Sequence, residues 1–500
     1  MTEHLIDDEL AEQDLLACAA RVAETIDNLE GHAEAMAGVA ARYADAGQTE
    51  FAVALIETIG DPYTRDRALA EAVVKAYAAS QSDYAFQLLS RIEDPSFQAQ
   101  ATSQVAVKRA EAGDCPGATE LARELEDASS TLVEIAVKCA EAGDYAEALE
   151  IIETIEDEGS AASALAELAS LHAKAGRDAE ASELLSQARL KAELIELAED
   201  RASMLVMIGI RYDEAGERER AEEVLAEAAR LAERVELEAY RDSTRGQVSM
   251  GLARVGQQER ALEVAAQIED SFHAAAAHVG IASEQWRAGR GEEVPKLLSR
   301  ALQMVTEEES YDPRRYATAG YRTLTEIAAL YAEAGLYEEA KRTAHVIEAE
   351  NERNSALVEL AKAALRAASV DEATRFAHMI ADPSYRSFAL MTLGESLLKQ
   401  NEQERALALL SEAEPAVEEI AQPDYRTQAL IQLAGKYSST EREAETERLL
   451  LQALETCREI ESRSELSANL ARLSDAFYET GMEIDERVTA ILHEIVVKLD

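Results

Sequence analysis

The feature that most constrains this chain is a short pattern in which a glycine is followed five residues later by an alanine. It occurs in "YADAGQTEFA", "CAEAGDYAEA", "YDEAGERERA" and "YAEAGLYEEA". The glycine or its equivalent recurs at thirteen positions, most often 33 residues apart and otherwise 30, 40 or 46 residues apart. A period of this length is typical of repeat proteins, in which each repeat packs only on its neighbours. The anchor positions are 47, 80, 113, 143, 176, 216, 256, 289, 335, 368, 401, 441 and 481.

Residues on both sides of each anchor follow a helical spacing. The segment 165–172 places apolar residues and one histidine on a single stripe before Gly176, and the segment 148–155 forms an apolar stripe after Gly143. Glycine at the junction accepts the left-handed backbone that ends a helix. Each repeat is therefore predicted to contain a helix A, a tight turn and a helix B.

The composition supports helix throughout. Only 8 Pro and 22 Gly interrupt the 500 residues, and the abundant Ala, Glu and Leu are strong helix formers. No uncharged apolar run approaches the roughly 20 residues that span a bilayer. The start of the chain, "MTEHLIDDELAEQ", is acidic and lacks the basic region of a secretory signal. We therefore expect a cytoplasmic protein.

The net charge of −49 limits the choice of partners. It repels phosphate backbones and anionic lipid surfaces, so we expect neither nucleic acid nor a membrane as partner. The acidity either favours basic partners or is a solubility adaptation, such as one to high salt. The four cysteines, Cys18, Cys115, Cys139 and Cys457, have no paired spacing. We expect no disulfide framework and no zinc site, and interpret them as core residues or inert surface thiols.

The residues around the anchor resemble the tetratricopeptide repeat family. The helix-A pattern of that family is visible in "MLVMIGIRYDEAG", at Leu205, Ile208, Gly209, Tyr212 and Gly216. The resemblance covers nearly the whole chain. It implies an all-α fold, a right-handed α-solenoid of about thirteen stacked helix-turn-helix repeats with a modal period of 33 residues.

The repeats define the expected organisation of the chain. We expect an N-terminal helix in residues 1–29, the tetratricopeptide-like solenoid in residues 30–483 and a C-terminal capping helix in residues 484–500. The irregular stretch 290–320 is the best candidate for a bend between two arms. The end repeats of a solenoid are expected to be its most polar and least stable parts.

Asp-Pro pairs mark several joints between repeats. Aspartate is a preferred N-cap, and proline fits the first position of a helix. A phosphate-binding loop would instead need glycines and free amides. We therefore interpret these pairs as caps that begin the next helix A. The pairs are Asp61-Pro62, Asp94-Pro95, Asp312-Pro313 and Asp382-Pro383, with Gln422-Pro423 as a variant.

Arginine recurs fifteen residues before many anchors and is predicted to form a ladder along one edge of the stack. Two interpretations are open. The arginines pair with acidic residues at the end of helix B, or they form a basic strip that selects an acidic or carboxylate-bearing partner. The acidic residues are, for example, Glu93, Glu156, Glu269 and Glu348. The ladder consists of Arg65, Arg201, Arg241, Arg353, Arg386 and Arg426.

In tetratricopeptide arrays, the helix-A positions between the packing residues line the concave face, and in this chain those positions are apolar. Either a tightly wound superhelix buries them, or an open groove accepts an amphipathic helix or an extended apolar segment. The candidate binding residues are Val133, Val137, Val206, Ile210, Val279, Val358, Met391 and Ile431.

The sequence contains no recognisable catalytic constellation. Its eight histidines occur singly, and it has no phosphate-binding loop, dinucleotide fingerprint or nucleophile elbow. We expect no enzymatic activity, no cofactor and no metal. The repeat pattern does not specify an oligomeric state. The leading expectation is a scaffold or adaptor that binds a protein or peptide segment along the concave face. The alternative is a regulatory sensor or chaperone-like holder whose superhelix changes curvature on peptide binding.

Overall fold

A computed structural model of the protein describes residues 5–306 and 313–499, with side chains 313–319 excepted. In these ranges it contains 28 α-helices, one short 3₁₀ helix and no strand. The predicted all-α fold is therefore confirmed. Two compact units are present: unit I contains residues 1–105 and 370–500, and unit II contains residues 106–369. No described helix is both long and apolar enough to cross a bilayer.

The helices follow one another in pairs along the chain, with the 3₁₀ helix at Gly291–Glu293. The first fourteen are α1 (Asp8–Ala11), α2 (Leu15–Glu24), α3 (Leu29–Asp45), α4 (Thr49–Ile56), α5 (Pro62–Ala78), α6 (Ser82–Leu89), α7 (Pro95–Glu111), α8 (Cys115–Ala122), α9 (Ser129–Glu141), α10 (Tyr145–Glu153), α11 (Glu158–Lys174), α12 (Asp178–Ala192), α13 (Ala198–Glu214) and α14 (Arg218–Ala232). The remaining fourteen are α15 (Glu238–Arg254), α16 (Gln258–Ala265), α17 (Ser271–Arg287), α18 (Val294–Thr306), α19 (Pro313–Glu333), α20 (Tyr337–Val346), α21 (Glu350–Arg366), α22 (Val370–His378), α23 (Pro383–Lys399), α24 (Gln403–Glu418), α25 (Pro423–Ser438), α26 (Glu443–Cys457), α27 (Arg463–Thr480) and α28 (Glu486–Val497).

A left-handed turn joins each helix A to the helix B that follows it. The thirteen anchor positions have φ between 57° and 97°, and no other described residue has a positive φ. Nine of them are glycine, and the others are Ser80, Ala368, Asn401 and Glu441. At Gly176, the amide of the next residue donates a 2.9 Å hydrogen bond to the His172 carbonyl, which satisfies an orphan carbonyl at the end of α11. The predicted turn positions are therefore the turn positions of the structure.

Packing within each unit follows the order expected for stacked helix pairs. In unit II, α11 packs on its partner α12 and on the next helix A, α13, which in turn packs on α14 and α15. The isoleucine that ends helix B is buried in several pairs, for example Ile155, Ile347 and Ile380. Together with the left-handed turns, this pairing confirms a tetratricopeptide-like helical repeat fold.

Gly209 allows the two helices of one pair to approach closely. A Cβ atom at this position of α13 would lie 2.8 Å from Cγ of Leu225 on α14. Gly394 on α23 has the same relation to Leu410 on α24, at 3.0 Å from Cδ2. These contacts explain why a glycine follows the large apolar residue of helix A.

The Asp-Pro joints are helix caps, as predicted. The carboxylate of Asp61 accepts a hydrogen bond from the Thr64 amide, and Pro62 begins α5. Asp382 caps α23 in the same way, and the Asp94 carboxylate accepts a 2.8 Å bond from the amide of Ser96. The variant Gln422 makes no side-chain cap bond. Asp312 lies outside the described residues.

Helix α2, the second helix of the chain, takes the place of a helix B beside α27. Nine of its ten residues are buried, and α27 packs on both α2 and α3. The Ser467 hydroxyl on α27 donates a 2.8 Å bond to the Ala19 carbonyl. An Arg42–Asp475 ion pair at 2.8 Å joins α3 to α27. The two ends of the described chain thus cover each other's apolar surface, which differs from the polar ends expected of a solenoid.

The predicted boundaries at residues 29 and 484 stay predictions. Helix α2 lies within the predicted N-terminal segment and α28 within the predicted capping segment. The predicted bend at 290–320 includes residues 307–312, which lie outside the described residues.

The expectation that no cysteines are paired was wrong. Cys115 at the start of α8 and Cys139 on α9 form a disulfide with a Cα–Cα distance of 6.1 Å. Their 24-residue separation reflects the stacking of successive helices rather than a local cysteine motif. Cys18 and Cys457 are buried free thiols, and burial raises the pKa of Cys457 to about 12. A disulfide persists in oxidising compartments and in some hyperthermophile cytosols, so the cytoplasmic location stays a prediction.

We predict that Gly209→Ala destabilises the protein by about 1–2 kcal/mol, because the new methyl group overpacks against Leu225. The matched control is Gly246→Ala on α15, where a Cβ would meet nothing within 4 Å. There the loss of glycine flexibility should stabilise the helix by about 0.5–1 kcal/mol. Urea denaturation followed by circular dichroism measures both changes. Equal effects of the two variants would contradict the close-packing role of Gly209.

We also predict that opening the Cys115–Cys139 bond lowers the free energy of unfolding by roughly 3 kcal/mol, as expected for a loop of this length. Denaturation with and without reductant, repeated on the Cys115→Ser/Cys139→Ser variant, measures the change. Reductant should have no effect on that variant. Alkylation of the denatured, unreduced protein should label Cys18 and Cys457 only, and labelling of all four cysteines would show that the bond is absent.

Candidate functional site

The structure brings four of the predicted groove residues together in two hollows on the helix-A face. Val206 and Ile210 on α13 line a hollow of about 400 Å³ together with Met250 on α15. Met391 on α23 and Ile431 on α25 line a second hollow of about 450 Å³. We call these hollows the α13–α15 groove and the α23–α25 groove.

The other four candidates line neither groove. Val133 and Val137 lie on α9, Val279 on α17 and Val358 on α21. None of the eight candidate side chains is fully exposed: Val206, Val279, Val358 and Met391 are buried, and Val133, Val137, Ile210 and Ile431 are half-buried. Some of the predicted residues therefore pack between neighbouring helices, and others form the floors of the two grooves.

Phe388 is the most accessible apolar side chain of the α23–α25 groove. It lies one helical turn before Met391 on α23 and is 45% exposed. It is not among the eight groove residues predicted from the sequence. Its exposure depends on how α23 and α25 pack, which a single repeat does not reveal.

Charged groups border the apolar floor of this groove. Lys436 and Lys399 donate hydrogen bonds to the Glu395 carboxylate, which lowers the pKa of Glu395 to about 2. Because this pKa is depressed, the bridges stabilise the protein at neutral pH and weaken as the pH falls below the ordinary glutamate value toward 2. Arg472 also lines the groove, and its Nη1 has no hydrogen-bond partner in the described part of the chain. The groove thus combines an apolar floor with the Arg472 guanidinium group, whose unpartnered Nη1 is buried.

Ion pairs also border the α13–α15 groove. Arg211 on α13 contacts Glu167 at 2.5 Å and Glu214 at 2.8 Å. Arg254 on α15 contacts the same Glu214 at 2.7 Å. These pairs hold neighbouring helices A together and leave the methionine and valine side chains between them.

Five of the six ladder arginines bind backbone carbonyls at the end of the preceding helix B; the exception is Arg65, which bonds to Asp66. Arg386 Nη1 lies 3.1 Å from the Ile380 carbonyl oxygen, and Arg353 Nη1 lies 3.2 Å from that of Ile347. In both cases the acceptor is six residues earlier, where a helix leaves carbonyls without intrahelical partners. Arg201, Arg241 and Arg426 make the equivalent bond to Ile195, Val235 and Ile420.

Several ladder arginines also reach the next joint. Arg386 pairs with Glu419, and Arg426 pairs with Glu459. Longer contacts of the same kind join Arg241 to Glu269 at 3.6 Å and Arg65 to Glu93 at 3.4 Å. The guanidinium groups are therefore engaged in holding successive joints together, and a recognition role for them stays an untested prediction.

Two buried aspartates lie beside the ladder, and their role as helix caps was not predicted from the sequence. The Asp242 carboxylate accepts bonds from the Glu269 and Asp270 amides at 3.0 and 2.8 Å. The Asp66 carboxylate accepts equivalent bonds from the Glu93 and Asp94 amides at 2.9 and 2.7 Å. Both acids are almost fully buried. The sequence pattern that could have indicated this role is the residue after each ladder arginine, which is small and polar in most copies. Those copies are Asp66, Asp242, Asn354, Ser387 and Thr427.

No family model matches the sequence, and no curated protein matches it. Among solved structures, the human IFIT1 dimer with PPP-AAAA is 14% identical, with 91% of this chain and 96% of that chain covered and a TM-score of 0.28. A Rap protein complexed with competence and sporulation factor is 15% identical, with 64% and 98% covered and a TM-score of 0.26. A signal transduction ATPase with a tetratricopeptide repeat sensor from Pyrococcus horikoshii is 14% identical, with 90% and 54% covered and a TM-score of 0.25. At this level of similarity none of them bears on function, and the fold rests on the helix pairs and turns described above.

Within the described ranges, no group of three His, Cys, Asp or Glu residues could hold a metal ion. We still only predict that the protein has no cofactor, no enzymatic activity and no nucleic-acid partner.

We predict that the double variant Arg386→Gln/Arg426→Gln loses about 1–2 kcal/mol of stability per site, because each change removes charge-assisted bonds to carbonyls and a glutamate. The control is Arg375→Gln/Arg405→Gln, whose exposed ion pairs lie within single helices and should contribute less than about 0.5 kcal/mol each. Hydrogen exchange of the flanking helices locates the loss. Equal protection in both variants would show that the ladder does not hold the joints.

Proposed function

We propose that the protein is a non-catalytic scaffold or adaptor that binds a protein or peptide segment along the helix-A face. The observation that carries this proposal is the α23–α25 groove. It offers the exposed ring of Phe388, an apolar floor formed by Met391 and Ile431, and the guanidinium group of Arg472 in its lining. A few polar groups around an apolar hollow are the usual composition of a binding site.

A segment bound in this groove would gain from both components. Its apolar side chain would cover Phe388, which is worth roughly 1.5–3 kcal/mol for a large side chain. Its backbone carbonyl or a carboxylate would accept a hydrogen bond from Arg472, which directs the segment across the groove. The α13–α15 groove, with its Met250 and Ile210 lining, is a separate candidate contact surface within unit II.

We predict that a photo-crosslinking amino acid in place of Phe388 captures a defined protein segment in the native cell. The same amino acid in place of Tyr425, which is 55% exposed and lines neither of the two grooves, is the matched control and should not capture it. A synthetic peptide of the captured segment should then bind wild-type protein at least about tenfold more tightly than Phe388→Ala. Its affinity for Tyr425→Ala should match wild type within about twofold.

Capture of one segment at both positions, or of none at Phe388, would contradict the adaptor. Capture of many unrelated unfolded segments at Phe388 would instead favour the alternative, a chaperone-like holder.

A further inference from the structure

A third hollow lies in unit II, beside the two successive joints that precede α11 and α13. It has a volume of about 850 Å³ and lies between the N-terminal halves of α11 and α13. Its apolar lining includes Leu194, Leu197 and Met204. Leu194 and Leu197 are 59% and 57% exposed. We call this hollow the α11–α13 cleft.

Leucine replaces the helix cap at this joint and at the next one. Leu197 precedes α13 and Leu237 precedes α15, and neither makes a side-chain cap bond. In contrast, Asp157 caps α11 and Asp270 caps α17. Leucine at an N-cap forgoes the stabilisation that aspartate would give and also exposes apolar surface to water. Two neighbouring joints therefore share a feature that is unfavourable for the isolated chain.

The exposed apolar surface continues from the cleft to the next joint. Leu237 is 63% exposed and Tyr240, three residues later at the start of α15, is 57% exposed. Helices A of successive pairs pack roughly 8–10 Å apart. Leu197, Leu237 and Tyr240 form what we call the apolar strip. The distance between its large side chains on neighbouring helices matches about three residues of an extended chain, each about 3.3 Å long.

The rim of the cleft is acidic, and no cation is part of the lining. Of its carboxylates, Asp157 caps α11 and Glu158 pairs with Lys191 at 2.8 Å. The remaining three have no ion pair or hydrogen bond among the described residues. They are Glu156, Glu196 and Asp200.

We propose that the α11–α13 cleft and the adjoining leucines are a docking site for a basic segment of another protein that carries two large apolar side chains about three residues apart. The apolar side chains enter beside Leu197 and Leu237, and flanking Lys or Arg residues pair with the free carboxylates. Opposite charge directs the approach of the segment, and burial of the leucines holds it. This site is separate from the α23–α25 groove and goes beyond the proposed function.

The test uses the full chain and a fluorescein-labelled twelve-residue peptide with two leucines three residues apart and lysines on both sides. Fluorescence anisotropy should show binding at 50 mM NaCl that weakens at 300 mM NaCl, because salt screens the charge pairs. A peptide with serine in place of both leucines should bind at least about tenfold more weakly, since each leucine loses its buried area. Equal binding of the two peptides would overturn the proposal.

The decisive variant is Leu197→Asp/Leu237→Asp, which supplies the aspartate cap present at other joints. We expect its urea midpoint to be equal to or above that of wild type, and its affinity for the peptide to be at least about tenfold lower. Because the variant adds negative charge, charge attraction alone predicts tighter binding. Retained or tighter binding would therefore overturn the docking role of the leucines.

The matched control is Leu190→Asp, which changes a leucine that is 63% exposed on α12 and outside the cleft. Its peptide affinity should equal that of wild type within about twofold. The variant Glu156→Gln/Glu196→Gln/Asp200→Asn should weaken binding about tenfold at 50 mM NaCl and much less at 300 mM NaCl. Loss of binding in Leu190→Asp would show that the peptide is not bound at the cleft.

Sedimentation distinguishes a second copy of this chain as the occupant. If wild type is a dimer, Leu197→Asp/Leu237→Asp a monomer, and neither binds the peptide, the strip is a self-association surface and the proposal is wrong. The Phe388→Ala variant should bind this peptide like wild type. Failure of the α23–α25 groove experiment is therefore distinguishable from failure of this one.

Discussion

The left-handed residue between helix A and helix B is the constraint on which the rest of the structure depends. It reverses the chain within a few residues and sets the face of helix B that meets helix A. The alanine five residues after the anchor then lies inside the helix pair, and Ala148, Ala221 and Ala340 are fully buried. Where the anchor is Ala368 or Glu441, the same backbone forms without glycine, because packing of the pair outweighs the local cost.

The joints between pairs depend on a second set of contacts, made by charged side chains to backbone groups. A ladder arginine donates to the carbonyls that end one helix B, and in two joints a buried aspartate accepts from the amides that begin the following helix A. Such bonds satisfy groups that a helix end leaves unpaired. They also explain how a chain with a net charge of −49 can place arginines at regular intervals without leaving them free.

The turns and helix pairs could be predicted from sequence because each depends on residues close together in the chain. Gly176 marks its turn whatever the rest of the protein does, and Asp61 caps the helix that it precedes. The Cys115–Cys139 bond, the contact of α2 with α27 and the capping by Asp242 could not be predicted in this way. Each depends on how successive helices stack, and so does the division of the groove candidates into buried and half-exposed side chains. Of these features, only the capping by Asp242 is accompanied by a local sequence pattern, the Arg-Asp pair.

The contact between α2 and α27 has a consequence during protein synthesis. Ser467 and its acceptor Ala19 are 448 residues apart, so the ribosome completes α2 roughly half a minute before it makes the partner helix, at common elongation rates. For that interval α1 and α3 can pack on α2, but the face of α2 that contacts α27 has no cover from its own chain. Nascent chains of this protein should therefore need shielding at their N-terminal end until translation is almost finished, although most other helix pairs can form as soon as they emerge.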